Sequence, residues 1–269
     1  MKVVNSNLKT WIAINFRATV FFLALNTILG VLTYIIAYAF YRGSDSFALV
    51  LLGAQILPGS EAPFASLILD PFRFLTSAFL HGGIVHLLFN MYALYAIGGF
   101  VERYYGSKKM FTAYIITAIS GSLLSFVMSL LSVWNNSGVA SGVAISVGAS
   151  GAVFGLIGLI LGNKFLKKNT YSMDLNIDIG NLIWIVVINI FLGFSLNSLG
   201  TGVIINNWAH IGGLAGGLIL GSIFDTSETF HASRFKQIFE KSLFILSVLL
   251  FVLAWVFNVY SIVTRFIII

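Results

Sequence analysis

The sequence predicts an all-α membrane protein, a polytopic bundle of transmembrane helices that takes up nearly the whole chain. Hydrophobic residues make up 58% of the 269 positions and charged residues 9%, whereas soluble domains carry roughly 45–50% and 25%. Several apolar runs approach the length of about 20 residues that a helix needs to cross a bilayer. Lysine and arginine concentrate between these runs, as they do in the connecting segments of membrane proteins.

Seven apolar stretches follow one another along the chain. The first lies between Arg17 and Arg42; it is too long for the core of a signal peptide and no clear cleavage site follows it, so we expect a retained span. The fourth, fifth and sixth are short for helices surrounded by lipid, which predicts that they are held inside the bundle. The stretches cover about residues 18–41, 85–104, 110–133, 150–165, 182–196, 208–224 and 243–263.

These stretches divide the chain into three parts. Residues 1–17 are a short cytoplasmic N-terminal segment, residues 18–226 are a six-helix core, and residues 227–269 are a cytoplasmic linker with a C-terminal seventh transmembrane helix. Residues 43–72 and 132–147 are expected to be external loops, because they are long and rich in loop-forming residues.

The basic residues predict the orientation, because cytoplasmic loops carry the excess of lysine and arginine. With a cytoplasmic N-terminus and an external C-terminus, twelve of the fifteen basic residues lie inside, and only Arg42, Arg73 and Arg265 lie outside. The net charge of +6 then reflects topology and contact with anionic lipid. No basic cluster with interleaved aromatic residues indicates nucleic-acid binding. Usage rich in Lys, Phe, Ile and Asn favours a low-GC prokaryote, and hence a prokaryotic plasma membrane.

Several kinds of chemistry are excluded by what the sequence lacks. Without cysteine there is no disulfide, thiol nucleophile or Cys-built zinc site, and the H-E-x-x-H zinc motif is absent. An aspartic intramembrane protease needs two acidic residues within spans, but the clear span interiors contain none except Glu102 near an inner end. Ala152 stands where the G-x-S-x-G elbow of soluble hydrolases requires glycine.

Polar residues inside apolar spans are costly and therefore informative. His86 and Asn90 lie at the outer end of the second span, Ser150 lies where a Gly/Ser loop becomes the fourth, and His210 lies at the outer end of the sixth. The predicted orientation puts all of them at similar depth. His86 and Asn90 share one helix face and can present two donors to a common point. Orphan N–H groups and the positive end of the helix dipole near Ser150 suit an oxyanion.

Glycine stripes favour close packing of the fourth and sixth helices, because helices that present only small residues can approach until their backbones nearly touch. His210 shares a face with one stripe and Ser150 neighbours the other. Their side chains are thereby expected within hydrogen-bond reach, as a nucleophile and its base require. The stripes consist of Gly148, Gly151, Gly155, Gly158 and Gly162, and of Gly213, Gly217 and Gly221.

Each of these residues, taken alone, also has a plain structural interpretation. Serine is a preferred N-cap, so Ser150 can simply start a helix. His210 can be a satisfied histidine near the interface, and Asn90 can form an ordinary helix–helix hydrogen bond on the order of 1 kcal/mol. Most glycine stripes serve packing or dimerisation without chemistry. The chemical interpretation therefore depends on the combination.

Three segments contain these residues: PFRFLTSAFLHGGIVHLLFNMYALYAIGGFVERYYG, GASGAVFG and WAHIGGLAGG. In order and approximate spacing they resemble the rhomboid family of intramembrane serine proteases, over about residues 72–225. The resemblance implies the six-helix rhomboid core, and the seventh span matches the six-plus-one arrangement of some members. The pair Asn206-Asn207 before Trp208 departs from the commoner pattern, since related sequences often have Asp-Asn there.

The resemblance implies a Ser–His dyad, with Ser150 as nucleophile and His210 as general base and then acid. It also implies an oxyanion hole formed by Asn90, His86 and the backbone N–H of Ser150. Phe154 takes the aromatic position that packs on the imidazole. The other supporting positions are Gly148, Gly151, Gly213 and Gly217.

The expected function is hydrolysis of peptide bonds in or near transmembrane helices of single-span membrane proteins, with small residues at the cut. No metal or organic cofactor is expected. The expected partners are these substrates and the lipid bilayer, with no nucleic acid, and the sequence does not predict an oligomeric state. The alternative from another class is a non-catalytic membrane protein that binds transmembrane clients.

Overall fold

Helices make up most of the chain. A computed structural model describes residues 17–41, 45–59, 68, 70–135, 144–166, 178–198, 205–225 and 233–267. The segment before residue 17, the basic residues Arg42, Lys167 and Lys168, and parts of both predicted external loops lie outside these ranges.

The seven predicted apolar stretches all fall on helices. A π-helical turn, Leu94–Gly98, joins the helices Ile84–Ala93 and Gly99–Tyr105 without a break, and a second, Val263–Ile267, extends the last helix. In chain order the helices are α1 (Arg17–Phe40), α2 (Asp45–Leu51), α3 (Arg73–Thr76, followed by the 3-10 turn Ser77–Phe79), α4 (Ile84–Ala93), α5 (Gly99–Tyr105), α6 (Ser107–Trp134), α7 (Ser150–Leu166), α8 (Ile179–Ser198), α9 (Asn207–Ile223) and α10 (Arg234–Ile262).

Within the described residues, four helical segments are long and apolar enough to cross a membrane: Ala18–Phe40, Ile84–Tyr105, Ser107–Trp134 and Arg234–Arg265. Helices α7 and α8 are shorter apolar helices. Large apolar side chains such as Tyr38, Tyr92 and Tyr260 are 65–77% exposed on these segments, which suits surfaces in contact with lipid rather than water.

The centre of the bundle is α7, packed between α6 and α9. Every residue of α7 from 151 to 163 is buried. Methyl groups at Gly213 and Gly217 of α9 would overlap the carbonyl oxygens of Gly151 and Gly155 on α7, so the two predicted stripes do face each other. A second glycine face on α9, at Gly212 and Gly216, was not predicted and packs in the same close way on Ser120 of α6.

Helix α8 lies at the edge of the bundle, and here the prediction was wrong. The fifth apolar stretch was expected to be held inside, yet most of the described side chains of α8 are exposed, with Leu182, Val186 and Gly193 buried. The helix is 20 residues long, because it starts three residues before the predicted stretch and ends two residues after it. Its exposed side chains are mostly large and apolar, which suits contact with lipid.

The first predicted external loop is held by a buried arginine. Arg73 is 1% exposed. Its Nη1 donates to the carbonyl oxygens of Val50 and Ala54, at 2.9 Å each, and its Nε donates to the carboxylate of Asp70 at 3.2 Å. The same carboxylate accepts from Nη1 of Arg265, beyond α10, at 2.7 Å, so the last helix is fastened to this loop.

Two short strands join this loop to the segment that leads into α7. Strand β1 (Gln55–Ile56) pairs antiparallel with β2 (Ile145–Ser146), with Gln55 opposite Ser146 and Ile56 opposite Ile145. No strand was predicted, because two residues are too few to show an alternating pattern. The pairing fixes the backbone four residues before Ser150.

Glu102, which the sequence places near the inner end of its span, has a structural partner. Its carboxylate accepts hydrogen bonds from the backbone N–H groups of Ala18, at 2.6 Å, and Thr19, at 2.9 Å. These are first-turn groups of α1 that have no acceptor within the helix, and a negative charge is favourable at that end of the helix dipole. Glu102 thus caps the first span.

Candidate active site

Ser150 and His210 meet at the starts of their two helices. Ser150 is the first residue of α7, and His210 lies in the first turn of α9. The Nε2 atom of His210 is 2.8 Å from the Oγ atom of Ser150, a normal hydrogen-bond distance. His210 is 7% exposed, so this contact is largely shielded from the surroundings of the protein.

The imidazole of His210 is held by an aromatic ring. Phe154 stacks on it with ring centroids 4.3 Å apart and an angle of 6° between the planes. The Nδ1 atom is buried and has no hydrogen-bond partner among the described residues. A neutral ring that accepts the Ser150 proton at Nε2 carries its own hydrogen on Nδ1. The described part of the chain therefore presents a pair, with no third side chain on Nδ1.

Gly148 lets a second histidine approach the serine. Its φ angle of 129° lies in a region that glycine adopts readily and other residues rarely do. A methyl group at Gly148 would lie 2.8 Å from both Cε1 and Nε2 of His86 and 3.7 Å from Oγ of Ser150. His86 and Ser150 thus flank the same backbone position, and a side chain there would displace the imidazole of His86.

Asn90 is 6% exposed and lies one turn after His86 on α4. Its Nδ2 donates to the carbonyl oxygen of His86 at 3.0 Å. One of its two amide hydrogens is therefore used inside the helix. From the sequence, Asn90 and His86 were expected to serve a common point. The structure places His86 in the first turn of α4, with its ring against Gly148, and Asn90 one turn later on the same helix.

His81 belongs to the same cluster and was missed by the sequence analysis. It is 3% exposed, and its ring packs edge-on against that of His86, with centroids 5.1 Å apart. Burial, with a smaller effect of His86, lowers the pKa of His81 to about 3, so its imidazole is neutral. It precedes α4, outside any helical periodicity, which is why the sequence pattern did not reveal it.

The side chains of this cluster indicate which reactions it can support. A serine hydroxyl within hydrogen-bond reach of a histidine is the arrangement of an activated nucleophile. The first N–H groups of α7 lie next to that hydroxyl and have no acceptor within the helix. Among the described residues, no three His, Asp or Glu side chains come close enough together to hold a metal ion.

The fold and these contacts define a multi-pass helical membrane protein with a serine paired to a histidine. The Rhomboid domain matches residues 69–226, more than half of the chain. The chain therefore belongs to the rhomboid family, and it is an integral, multi-pass membrane protein.

Several curated proteins are similar to this chain. RHOMBOID-like protein 4 of Arabidopsis thaliana is 40% identical over 156 residues, which are 57% of this chain and 34% of that protein. Rhomboid protease GluP of Bacillus subtilis (strain 168) is 39% identical over 145 residues, 54% of this chain and 24% of that protein. Rhomboid-like protease 3 of Toxoplasma gondii is 31% identical over 204 residues, 72% and 65% of the two chains. The matches to the first two span about a quarter to a third of those proteins.

Proposed function

We propose that this chain is a serine-type endopeptidase that hydrolyses peptide bonds in or near the transmembrane helices of single-span membrane proteins. The observation that carries the proposal is the distance of 2.8 Å between Oγ of Ser150 and Nε2 of His210. The chain belongs to the rhomboid family, and two relatives that are similar to it are named as proteases. Both observations support the proposal.

In the proposed reaction, the Ser150 hydroxyl attacks the scissile carbonyl carbon while Nε2 of His210 takes its proton. His210 then gives this proton to the leaving amine, and an acyl-enzyme remains. His210 next takes a proton from a water molecule as that water attacks the acyl carbon. It then gives the proton to Oγ of Ser150 as the ester bond breaks, which releases the carboxylic acid product and restores the serine. Phe154 holds the plane of the imidazole throughout, because its ring stacks on that of His210.

The negative charge on the attacked carbonyl oxygen needs hydrogen-bond donors that are already in place. We assign this role to the second amide hydrogen of Asn90, to the imidazole of His86 and to the backbone N–H of Ser150. The position of His86 against Gly148 and the start of α7 at Ser150 support the assignment. Gly148, Gly151, Gly213 and Gly217 act as supports, because they permit these close approaches.

The proposed arrangement is a six-helix core over residues 18–226, made of α1, the continuous helix α4–α5, α6, α7, α8 and α9. Helix α10 is the seventh span, in residues 227–269. The N-terminus is cytoplasmic and the C-terminus external, so the cluster around Ser150 opens to the outside. The assignment to a prokaryotic plasma membrane rests on amino-acid usage alone.

Substrates are proposed to be single-span proteins with small residues at the cut. A transmembrane helix hides its carbonyl groups in hydrogen bonds, so a substrate must unwind locally before Ser150 can attack. Helix-destabilising residues near the cleavage site are therefore expected to favour cleavage.

The test is cleavage of a single-span test substrate by the purified protein in liposomes. Ser150→Ala and His210→Ala should each abolish cleavage while leaving the fold intact, and the double variant should lose no more than either alone. Ser222→Ala is the matched control, since within the described ranges that hydroxyl donates only to the carbonyl of Ile219 on the same helix. Substantial turnover by Ser150→Ala would sink the proposal. Specific binding of the substrate without any cleavage would favour the client-binding alternative.

A further inference from the structure

Asn206 is the N-cap of α9, the helix that carries His210. Its Oδ1 accepts a hydrogen bond from the backbone N–H of Ala209 at 3.1 Å, and its own carbonyl oxygen accepts from the N–H of His210 at 3.3 Å. Asparagine is one of the residues preferred at this position, since its side chain satisfies an N–H that lacks a partner within the helix. A serine would serve this purpose equally well.

The amide nitrogen of Asn206 makes two further contacts, both outside α9. Nδ2 lies 2.6 Å from Oγ of Ser125 on α6 and 2.8 Å from Oγ of Ser146 in strand β2. With the bond from Ala209, the oxygen and both amide hydrogens of Asn206 are engaged. One side chain thus joins the start of α9, the neighbouring helix α6 and the strand that leads to Ser150.

This connection matters because the contact between α7 and α9 is built from glycines. Facing glycine stripes allow the backbones to touch, but they offer few interlocking side chains that would stop one helix from sliding along the other. A slide of α9 moves His210, whereas a shift of β2 moves Ser150, which follows Ser146 by four residues. Asn206 opposes both movements, since it is bonded to β2 and starts α9.

The backbone between Ser146 and Ser150 is held as well. Strand β2 is paired with β1, and the N–H of Gly148 donates to the carbonyl oxygen of Ser77 at 3.0 Å. The position of Ser150 is therefore fixed relative to β2. The bond between Asn206 and Ser146 then links the start of α9 directly to β2, in addition to the backbone contact between α7 and α9.

We propose that Asn206 is a positioning residue that sets the register of His210 against Ser150 through its bonds to Ser146 and Ser125. The inference rests on the proposed function, because register matters for turnover only if the two residues react together. The predicted effect is on the catalytic rate and not on the binding of substrate.

Asn206→Ser is the variant that separates this role from capping. A serine keeps the cap on α9 but cannot supply two donors that reach α6 and β2. Misplacement of a reacting group by about 1 Å can cost about 100-fold in rate, so we expect kcat to fall about 10-fold to 100-fold with KM nearly unchanged. Asn206→Asp should recover most of the rate, because a carboxylate still caps the helix and the hydroxyls of Ser125 and Ser146 can turn to donate to it.

The measurement is kcat and KM on a single-span substrate in liposomes, with the melting temperature of the same preparation. Asn189→Ser is the matched control, because among the residues that the structure describes the amide of Asn189 donates only to the carbonyl of Ile185, one turn earlier on α8. Asn206→Ser with the kcat of the unmodified chain would overturn the inference. The inference would also be overturned if Asn206→Ser melted at a lower temperature but kept full turnover per folded molecule, or if Asn206→Asp failed to restore the rate.

Failure of this inference is distinguishable from failure of the proposed function. If Ser150→Ala cleaves as well as the unmodified chain, the proposed function fails and the inference fails with it. If Ser150→Ala is inactive and Asn206→Ser is fully active, only the positioning role is wrong. If Asn206 acts through Ser146, Ser146→Ala should also lower kcat. Combined with Asn206→Ser, it should lower kcat little further than Asn206→Ser alone.

Discussion

Gly213 of α9 lies so close to the carbonyl oxygen of Gly151 of α7 that no side chain fits between them. Gly151 follows Ser150 directly, and Gly213 lies about one helical turn after His210. The closeness of the two helices next to the serine and the histidine is therefore set by a contact between backbones.

The first prediction follows from this contact. Gly213→Ala should push α9 away from α7, lower stability by about 1–3 kcal/mol, as overpacking typically does, and reduce turnover on the order of 100-fold through misplacement of His210. Gly82→Ala is the control, since the nearest atom to an added methyl group there is 3.9 Å away. Melting temperature and kcat measured together check it, and full activity of Gly213→Ala would show that this contact does not set the site.

The second prediction concerns Asn90, whose amide is assigned to the oxyanion. Removing one such donor typically costs about 100-fold to 1000-fold in rate. We expect a loss of about 10-fold or more with stability nearly unchanged, because His86 and the backbone N–H compensate in part. Single-turnover rates of Asn90→Ala and the unmodified chain, with their melting temperatures, provide the measurement.

Asn189→Ala is the matched control for Asn90→Ala, because both asparagines donate to the carbonyl oxygen four residues earlier. A change in Asn189 should leave turnover unaltered. If Asn90→Ala is destabilised by about 1 kcal/mol, as for a helix–helix hydrogen bond, and keeps full turnover per folded molecule, Asn90 is not part of the oxyanion site.

The third prediction compares two arginines that share the carboxylate of Asp70. Arg73 is buried and also serves two carbonyl groups, so Arg73→Met should leave buried acceptors unpaired, at about 1–3 kcal/mol for each. The side chain of Arg265 is 43% exposed, and exposed ion pairs contribute about 0–1 kcal/mol. Thermal unfolding of Arg73→Met and Arg265→Met should therefore show a much larger loss of stability for Arg73→Met, and equal losses would contradict this role of Arg73 in the first loop.

The fourth prediction is the orientation. The chain has no cysteine, so single cysteines can be labelled with a membrane-impermeant reagent in intact cells. Trp134→Cys at the end of α6 should react from outside, whereas Lys164→Cys near the end of α7 should react only after the membrane is opened. Both side chains are exposed. The reverse pattern would invert the proposed topology.

The sequence predicts the helices of this protein well and their surroundings less well. The seven apolar runs all fall on helices of the structure, because a bilayer imposes length and composition on each span. Run length did not predict that α8 is exposed, since the same residues suit a helix in lipid and a helix among other helices. The strands β1 and β2 were missed because two residues carry no periodic signal.

Some residues of the candidate site could also be predicted from the sequence, and others could not. Ser150, His210, Asn90 and His86 stand out as polar residues in apolar spans, and the glycine stripes indicate which helices meet. The role of Asn206 depends on partners 81 and 60 positions away, and no local pattern reports contacts over such separations. His81 lies in a loop and becomes visible only through its contact with His86.

The proposed function requires that Ser150 is a nucleophile activated by His210, and labelling with a serine-reactive reagent tests this requirement directly. We would treat the purified protein in liposomes with a serine-reactive fluorophosphonate and measure the rate of adduct formation at Ser150 by mass spectrometry. The account predicts an adduct on Ser150 in the unmodified chain and labelling at least about 100-fold slower in His210→Ala, since an isolated serine hydroxyl is a weak nucleophile. Equal labelling rates in the two proteins, or no adduct on Ser150 in a preparation that cleaves substrate, would contradict it.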